Sequence, residues 1–428
     1  MNEHVLVVGT GGGPAPLLRE LGATTTLMCR IDFLGYAPAL SAHHAVLGVA
    51  GQAADEQWTQ LAKSVDQDRP FTRVVAFGEL DQDRAAAVAG ALGLPGHDPE
   101  TVRLVADKRA MRERLRERGV DPTPSALVAD AGELLAFLAE HGGPVVVKPL
   151  QGAGSVGVTV LREPDEAAAV GAFDRAAAGF AGVPRAGVLA ERFHEGPQFS
   201  VEALSEDGEH QVLAVVRKFY EPDGYVELGH LAPAGLDAAA ELAVAGLVAA
   251  TLDALGVGHG PTHTEVVLTA AGPRVIETHL RLAGDEIPEL VGEVTGLDYP
   301  RLVARQALGQ RVLPEVRAAL ADPGPERYSA IWFTLPTGGG TLVAAEPPPP
   351  GAVPAGGSVE THPLLDPGDE IAHPANSDSR VAATRSRAGT AAEAVRAARA
   401  AAEAVRVRVA PPLVTRVLGT VPADGGPA

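Results

Sequence analysis

Gly260-Pro261-Thr262-His263-Thr264-Glu265-Val266-Val267-Leu268-Thr269, Ala270-Ala271-Gly272 and Pro273-Arg274-Val275-Ile276-Glu277-Thr278-His279 form one continuous stretch. Two alternating runs flank a three-residue loop whose Gly suits a left-handed position, which is a common hairpin connection. That register sets Thr269 opposite Pro273, Val267 opposite Val275, Glu265 opposite Glu277 and His263 opposite His279. The four polar residues then share one face, by the period-two rule. Directly opposed side chains have Cβ atoms ~5 Å apart, and like charges there destabilise a sheet. A hard divalent cation between the carboxylates removes that repulsion, and Mg²⁺ takes one or two carboxylates together with substrate phosphates. A register slip, or one carboxylate kept protonated, are the alternatives. His259 and His263 do not form a zinc helix, because Gly260-Pro261 stands between them.

Working upstream, Val145-Val146-Val147-Lys148 reads as a strand, and Gly152-Ala153-Gly154-Ser155-Val156-Gly157 follows it. A dinucleotide site requires a helix directly after such glycines. Here Val158-Thr159-Val160-Leu161 alternates as a strand instead. Strand, glycine loop and strand make a flap whose backbone N–H groups can cover phosphates, and a plain tight hairpin is the alternative. A second run, Gly9-Thr10-Gly11-Gly12-Gly13, does lie between a strand and a helix. Pro14 stands where the third glycine belongs, so this run reads as the first turn of an α/β unit.

Composition narrows the classes. The chain has 428 residues and a net charge of −19, which disfavours a nucleic-acid or anionic-membrane surface. One cysteine, Cys29, excludes an internal disulfide framework and any CxxC motif. No apolar run is expected to approach a membrane span. Met1-Asn2-Glu3-His4 lacks the basic region of a secretory signal, so the expected setting is soluble and cytoplasmic. Only four lysines occur, Lys63, Lys108, Lys148 and Lys218, among many arginines. A compact ammonium is what a phosphate point contact uses, whereas Arg is a planar fork. Lys63, outside the motifs, is expected on the surface, and His43, His44 and His373 on the surface or in turns.

Strands expected at 4–9, 24–29, 45–49 and 73–77 alternate with helices at 14–21, 52–65 and 81–92, which indicates a parallel α/β sheet. The domains expected are an N-terminal α/β domain over 1–105, a central domain over 106–312 with a lid about 122–188, a C-terminal domain over 313–411, and a flexible tail over 412–428.

Together these residues resemble the ATP-grasp superfamily, specifically stand-alone carboxylate–amine ligases of the L-amino acid ligase (bacilysin-synthetase-like) type. The implied fold is α/β: an ATP-grasp domain behind a Rossmann-like N-terminal domain, with a C-terminal α+β domain like that of biotin carboxylases. Asp107-Lys108-Arg109 and Val147-Lys148-Pro149 match the family's phosphate lysines. Gly154, Ser155 and Val156 match its flap, and Glu191 through Gln198, with Phe193 between them, its adenine and ribose hinge. Lys218 matches a lysine near the γ-phosphate. Glu265, then Glu277-Thr278-His279-Leu280-Arg281-Leu282-Ala283-Gly284-Asp285, resembles the metal-ligand and acyl-phosphate motif. Residues 327–410, with Asn376 to Arg380 among them, resemble the C-terminal domain shared with biotin carboxylases.

The resemblance implies ATP and Mg²⁺ as cofactors, and an ADP-forming ligase that joins a carboxylic acid to an amine through an acyl phosphate. Lys148, Lys218 and Arg281 would be catalytic, Glu265, Glu277 and His279 would be metal ligands, and Arg281, Gly284 and Asp285 would face the substrate. Members of the family are often dimers. Two departures stand out: Gln198 replaces the usual ribose-binding Glu, and His279 replaces the Asn of an E-x-N-x-R pattern. Imidazole suits Mn²⁺ better than Mg²⁺; alternatively His279 donates a hydrogen bond to Glu277 or to a phosphate. The competing readings are a biotin-carboxylase-like enzyme, although this chain has no Met-Lys-Met carrier segment, and an NAD-dependent dehydrogenase, which leaves the carboxylate hairpin unexplained.

Overall fold

Five successive buried residues, His4-Val5-Leu6-Val7-Val8, make a strand covered on both faces, as parallel sheets require. This strand, β1 (His4–Val8), lies with β2 (Thr24–Arg30), β3 (Ala45–Val49) and β4 (Arg73–Ala76) in a parallel sheet ordered β3-β2-β1-β4. Helix α1 (Ala15–Glu20) joins β1 to β2, α2 (Asp55–Asp68) joins β3 to β4, and α3 (Gln82–Leu92) follows β4. Trp58 and Ala62 of α2 and Val88 of α3 pack with Leu6, Val8 and Met28. The computed structural model describes residues 3–152, 156–178, 187–221, 226–322, 327–349, 351, 358–371 and 377–411. Lys63 and His44 are exposed, as expected. His43 lies in the bend before β3, and it is buried there, with Nδ1 3.0 Å from Thr25 Oγ1. His373 and the tail from 412 lie outside the described residues.

Helices α4 (Pro99–Ala106) and α5 (Lys108–Glu117) follow, and Asp98 and Asp107 cap their N-termini by accepting from Glu100 N and Ala110 N. A second, antiparallel sheet is ordered β5-β8-β6-β7, from β5 (Ser125–Val128), β6 (Val145–Pro149), β7 (Thr159–Leu161) and β8 (Val188–Arg192). Helices α6 (Ala131–His141) and α7 (Glu166–Ala177) cover it. β6 pairs with β7 through Val146 and Val160. The glycine loop therefore joins two strands, which excludes the dinucleotide geometry there.

The largest sheet holds β9 (Gln198–Glu206), β10 (Glu209–Tyr220), β11 (Glu227–Ala232), β12 (Gly260–Thr269) and β13 (Gly272–His279), and runs on into β14 (Tyr328–Thr334), β16 (Ser358–Pro363) and β18 (Ala382–Ala388). Its order is β13-β12-β9-β10-β11-β14-β18-β16. It thus crosses residue 312, where a domain boundary was expected. Gly229 makes the crossing tight: a Cβ there would lie 2.3 Å from Ile331 O. β15 (Gly340–Glu346), β17 (Glu370–Ile371) and β19 (Arg406–Ala410) form a small sheet.

One face of the large sheet carries α8 (Ala238–Leu255), which buries Val244, Val248, Leu252 and Leu255 against Phe199, Val201 and Val215. This helix corrects the expectation about apolar runs. It is 18 residues long at a mean hydropathy of 1.7, long and apolar enough to cross a membrane by length and composition. α9 (Ile287–Thr295), α10 (Tyr299–Ala307) and α11 (Leu313–Ala321) cover the other face, and Ala304 of α10 also packs on β1 and β2 of the N-terminal sheet. α12 (Ala391–Glu403) lies on β14 and β18.

Candidate active site

The hairpin β12–β13 pairs Glu265 with Glu277 and His263 with His279. The route to that register differs from the expected one. Gly272 has φ +103°, a backbone that side chains avoid, and the pairs beyond it are Leu268–Pro273, Val267–Arg274 and Val266–Val275. The expected opposition of Val267 to Val275 is therefore one residue out, and a bulge at Ile276 restores the count. β13 is an edge strand, and its irregular backbone is satisfied by side chains from elsewhere. Arg112 Nη2 donates to Ile276 O at 3.0 Å, and Val275 N donates to Asp121 Oδ2 at 2.7 Å. A residue left out of the ladder by a bulge offers its backbone groups in this way.

Both carboxylates are held by lysines. Lys218 Nζ lies 2.7 Å from Glu265 Oε1 and 2.5 Å from Glu227 Oε1; Lys108 Nζ lies 3.2 Å from Glu277 Oε2 and 3.0 Å from Gly152 O. Burial alone would raise the Glu265 and Glu277 carboxyls, but Lys218 and Lys108, helped by His263 and His279, hold both well below the usual range. Lys148 Nζ lies 2.8 Å from Glu191 Oε2. Arg112 grips the same carboxylate at 3.0 and 3.1 Å. Against burial, these two cations hold the Glu191 carboxyl at about 2, while burial lowers the Lys148 ammonium. Three of the four lysines thus face one cavity of about 460 Å³, whose wall also includes Val146, Val156, Phe193, Gln198 and Val267. Gly154 and Ser155 lie outside the described residues.

The strand end beyond the carboxylates is fixed from two sides. His279 Nδ1 is 2.9 Å from Glu79 Oε1 and its Nε2 3.2 Å from Glu277 Oε1. Arg281 donates through Nε to Glu79 and through Nη1 to Leu282 O. In the following turn Gly284 O accepts from Ile287 N, and Asp285 and Glu286 both take the left-handed backbone, at φ 57° and 56°. Asp285 is 3.0 Å from His230 Nε2 and 2.7 Å from Arg380 Nη1. Despite burial, His230 and Arg380 keep its carboxyl far below the usual range. The structure therefore brings Lys108, Lys148, Lys218, Glu191, Glu265 and Glu277 onto the wall of one cavity, with His279 joined to Glu277, Arg281 to Glu79 and Asp285 to His230.

Comparison with known families places an ATP-grasp domain at residues 141–289 and an L-amino acid ligase C-terminal domain 2 at residues 335–410. Residues 141–289 of the chain are thus an ATP-grasp domain. It is 30% identical to dapdiamide A synthase of Enterobacter agglomerans over 250 residues, covering 56% of this chain and 57% of that one. Identity to the alanine–anticapsin ligase of Bacillus subtilis is 28% over 268 residues, 58% of this chain and 55% of the relative. The chain spans about half the length of the curated relatives it matches. The fold is that of the L-amino acid ligase from Bacillus licheniformis, with TM-score 0.77 at 22% identity over 96% of this chain and 99% of the other. Glu265, Glu277 and Asp285 fall inside the ATP-grasp match, and Arg380 inside the C-terminal one.

Several residues of this ATP-grasp cleft escaped the sequence reading. Glu79 sits in an unremarkable Phe77-Gly78-Glu79-Leu80 loop of the N-terminal sheet. Glu227 and His230 lie on β11, whose Glu-Leu-Gly-His-Leu-Ala lacks the β-branched run that marks a strand. Arg112 and Asp121 flank a helix end, where charged residues ordinarily mean solvent. Glu202 sits among the buried residues of β9 with no motif around it. The one available signal was Glu227-x-x-His230-x-x-Pro233, polar residues interleaved in an apolar run.

Proposed function

We propose that this chain is an ATP-dependent carboxylate–amine ligase acting on amino-acid-like substrates, releasing ADP and phosphate. The observation that carries this reading is the opposed pair Glu265 and Glu277, flanked by Lys108, Lys148 and Lys218 on the wall of one cavity. Arg281 and Asp285 follow within the same turn.

The substrate carboxylate oxygen attacks the γ-phosphorus, forming the acyl phosphate and expelling ADP. The amine nitrogen then attacks the acyl carbon, phosphate leaves, and the amine gives up a proton. The charge gathered on the phosphates has to be neutralised, and fixed cations in a site closed to water do this best. Lys108, Lys148 and Lys218 hold phosphate oxygens, with Val146, Phe193 and Val267 against the base and Gln198 toward the ribose. Glu265 and Glu277 fit Mg²⁺: they are two hard oxygen donors face to face, lying beside the phosphate lysines. Glu265 and Glu277 would hold the ion, which would supply positive charge to offset that of the phosphates. Arg281 neutralises the acyl phosphate. Glu227 and Asp285 suit an ammonium group and Arg380 a carboxylate, the combination an amino acid presents, and Gly284 leaves room beside them.

Incubating the protein with MgATP, pooled amino acids and hydroxylamine tests the reading. ADP formed in step with amide, and hydroxamate accumulating when the amine is withheld, are the expected results. AMP and pyrophosphate would rule it out.

A further inference from the structure

His263 and His279 face each other across the hairpin with ring centroids 5.8 Å apart and planes at 25°. Each has one nitrogen on a carboxylate of the opposed pair and the other on a carboxylate behind it. His263 Nε2 lies 3.5 Å from Glu265 Oε1, and its Nδ1 2.7 Å from Glu202 Oε1. His279 Nε2 lies 3.2 Å from Glu277 Oε1, and its Nδ1 2.9 Å from Glu79 Oε1. The same carboxylate–imidazole–carboxylate arrangement thus occurs twice, once for each member of the pair.

The outer carboxylates differ in kind. Glu202 is fully buried in β9, and among the described residues its Oε2 has no hydrogen-bond partner. A buried carboxylate with an unsatisfied oxygen is costly, and such a group calls for an explanation. Fixing His263 supplies one. Glu79 is half-exposed and comes from the loop after β4, in a different sheet. It takes Arg281 as well as His279, and Gln82 Nε2 of the same region donates to Leu280 O at 3.1 Å between them. Three side-chain contacts from the N-terminal unit thus close on the consecutive residues 279–281.

This geometry has a consequence for His279. An imidazole ligates a metal through a nitrogen lone pair directed at the ion. Both nitrogens of His279 are directed at carboxylate oxygens instead, the place a proton occupies. Carboxylates that ligate a metal are themselves held by hydrogen bonds from behind, and loss of such a partner weakens metal affinity or activity ~10–100-fold.

Resting on the ligase reading above, we propose that His263–Glu202 and His279–Glu79 are positioning pairs. They orient Glu265 and Glu277 toward the ion without touching it, and Glu79 makes the second pair conditional on docking of the N-terminal unit. His279 therefore stands behind Glu277 and is not itself a metal ligand.

Mn²⁺ with ADP is the probe. Pulsed EPR of Mn²⁺ bound with ADP to the full chain is expected to show no directly coordinated ¹⁴N. Titration of Mn²⁺ in the presence of ADP is expected to give a Kd 10–100-fold higher for Glu79→Gln than for the parent, at an unchanged melting temperature. Glu79→Asp is expected to recover part of the loss. Glu202→Gln is expected to act in the same direction; because that site is buried, the exposed Glu79 variants decide the matter. A coordinated ¹⁴N lost in His279→Asn would overturn the proposal while leaving the ligase reading intact, as would a Glu79→Gln Kd equal to the parent's. No Mn²⁺ binding with ADP in the parent would overturn both.

Discussion

Arg112 and Lys148 converge on Glu191, and the three charges are almost wholly buried. Breaking such a group by removing one charge leaves the others unpaired, at a cost of about 3–5 kcal/mol. Glu191→Gln is therefore expected to destabilise the chain at neutral pH. The pH dependence follows from the low Glu191 carboxyl, at about 2 against an ordinary 4.5. A depressed carboxyl contributes stability above its unfolded value and loses it as pH falls toward the folded one. Between pH 4.5 and 2 the parent should lose about 1.4 kcal/mol per pH unit through this group, and the Gln variant should not. Urea unfolding at pH 7 and at pH 3.5 is expected to show the gap between the two shrinking at the lower pH. A constant gap would mean that Glu191 does not titrate as its contacts require. Lys148 was legible from its place before the glycine loop. Arg112 was not, because nothing in Arg-Glu-Arg says which charge turns inward.

Two consecutive left-handed residues, Asp285 and Glu286, set the turn between β13 and α9. For ordinary side chains that backbone costs roughly 1–2 kcal/mol each. Here residues from the last third of the chain hold the turn: Arg380, just before β18, takes Asp285, while Arg385 of β18 and His362 of β16 take Glu286 at 2.7 and 2.6 Å. Glu286→Gly relieves the backbone and removes those ion pairs, so the two effects should offset within about 1 kcal/mol of unfolding free energy. The KM for the acid should nonetheless rise severalfold while ATP affinity holds, because Asp285 loses its anchored neighbour. An unchanged acid KM would show that the turn stands without the clamp. The hairpin itself was legible because alternation and a glycine turn are local signals. Its bulge was not, since Ile276 O meets Arg112 and the neighbouring Val275 N meets Asp121, both more than 150 residues away. β11 was missed for a related reason: its strand character comes from pairing on both sides with β10 and β14, not from its own residues.

At the scale of the molecule, one eight-stranded sheet carries the cleft from β13 to β18, and the N-terminal unit closes on its edge through Glu79 and Gln82. Alternating strands and helices made the parallel N-terminal sheet readable, and the family resemblance supplied the order of parts. The joins between parts are long-range contacts and left no local trace. All the parts serve one claim, that the carboxylate attacks ATP directly and its oxygen goes to phosphate. Supplying an acid with ¹⁸O in both carboxylate positions, together with amine and MgATP, tests that claim most directly. The account predicts one ¹⁸O in each inorganic phosphate released and one retained in the amide. Unlabelled phosphate, or ¹⁸O recovered in AMP, would contradict it.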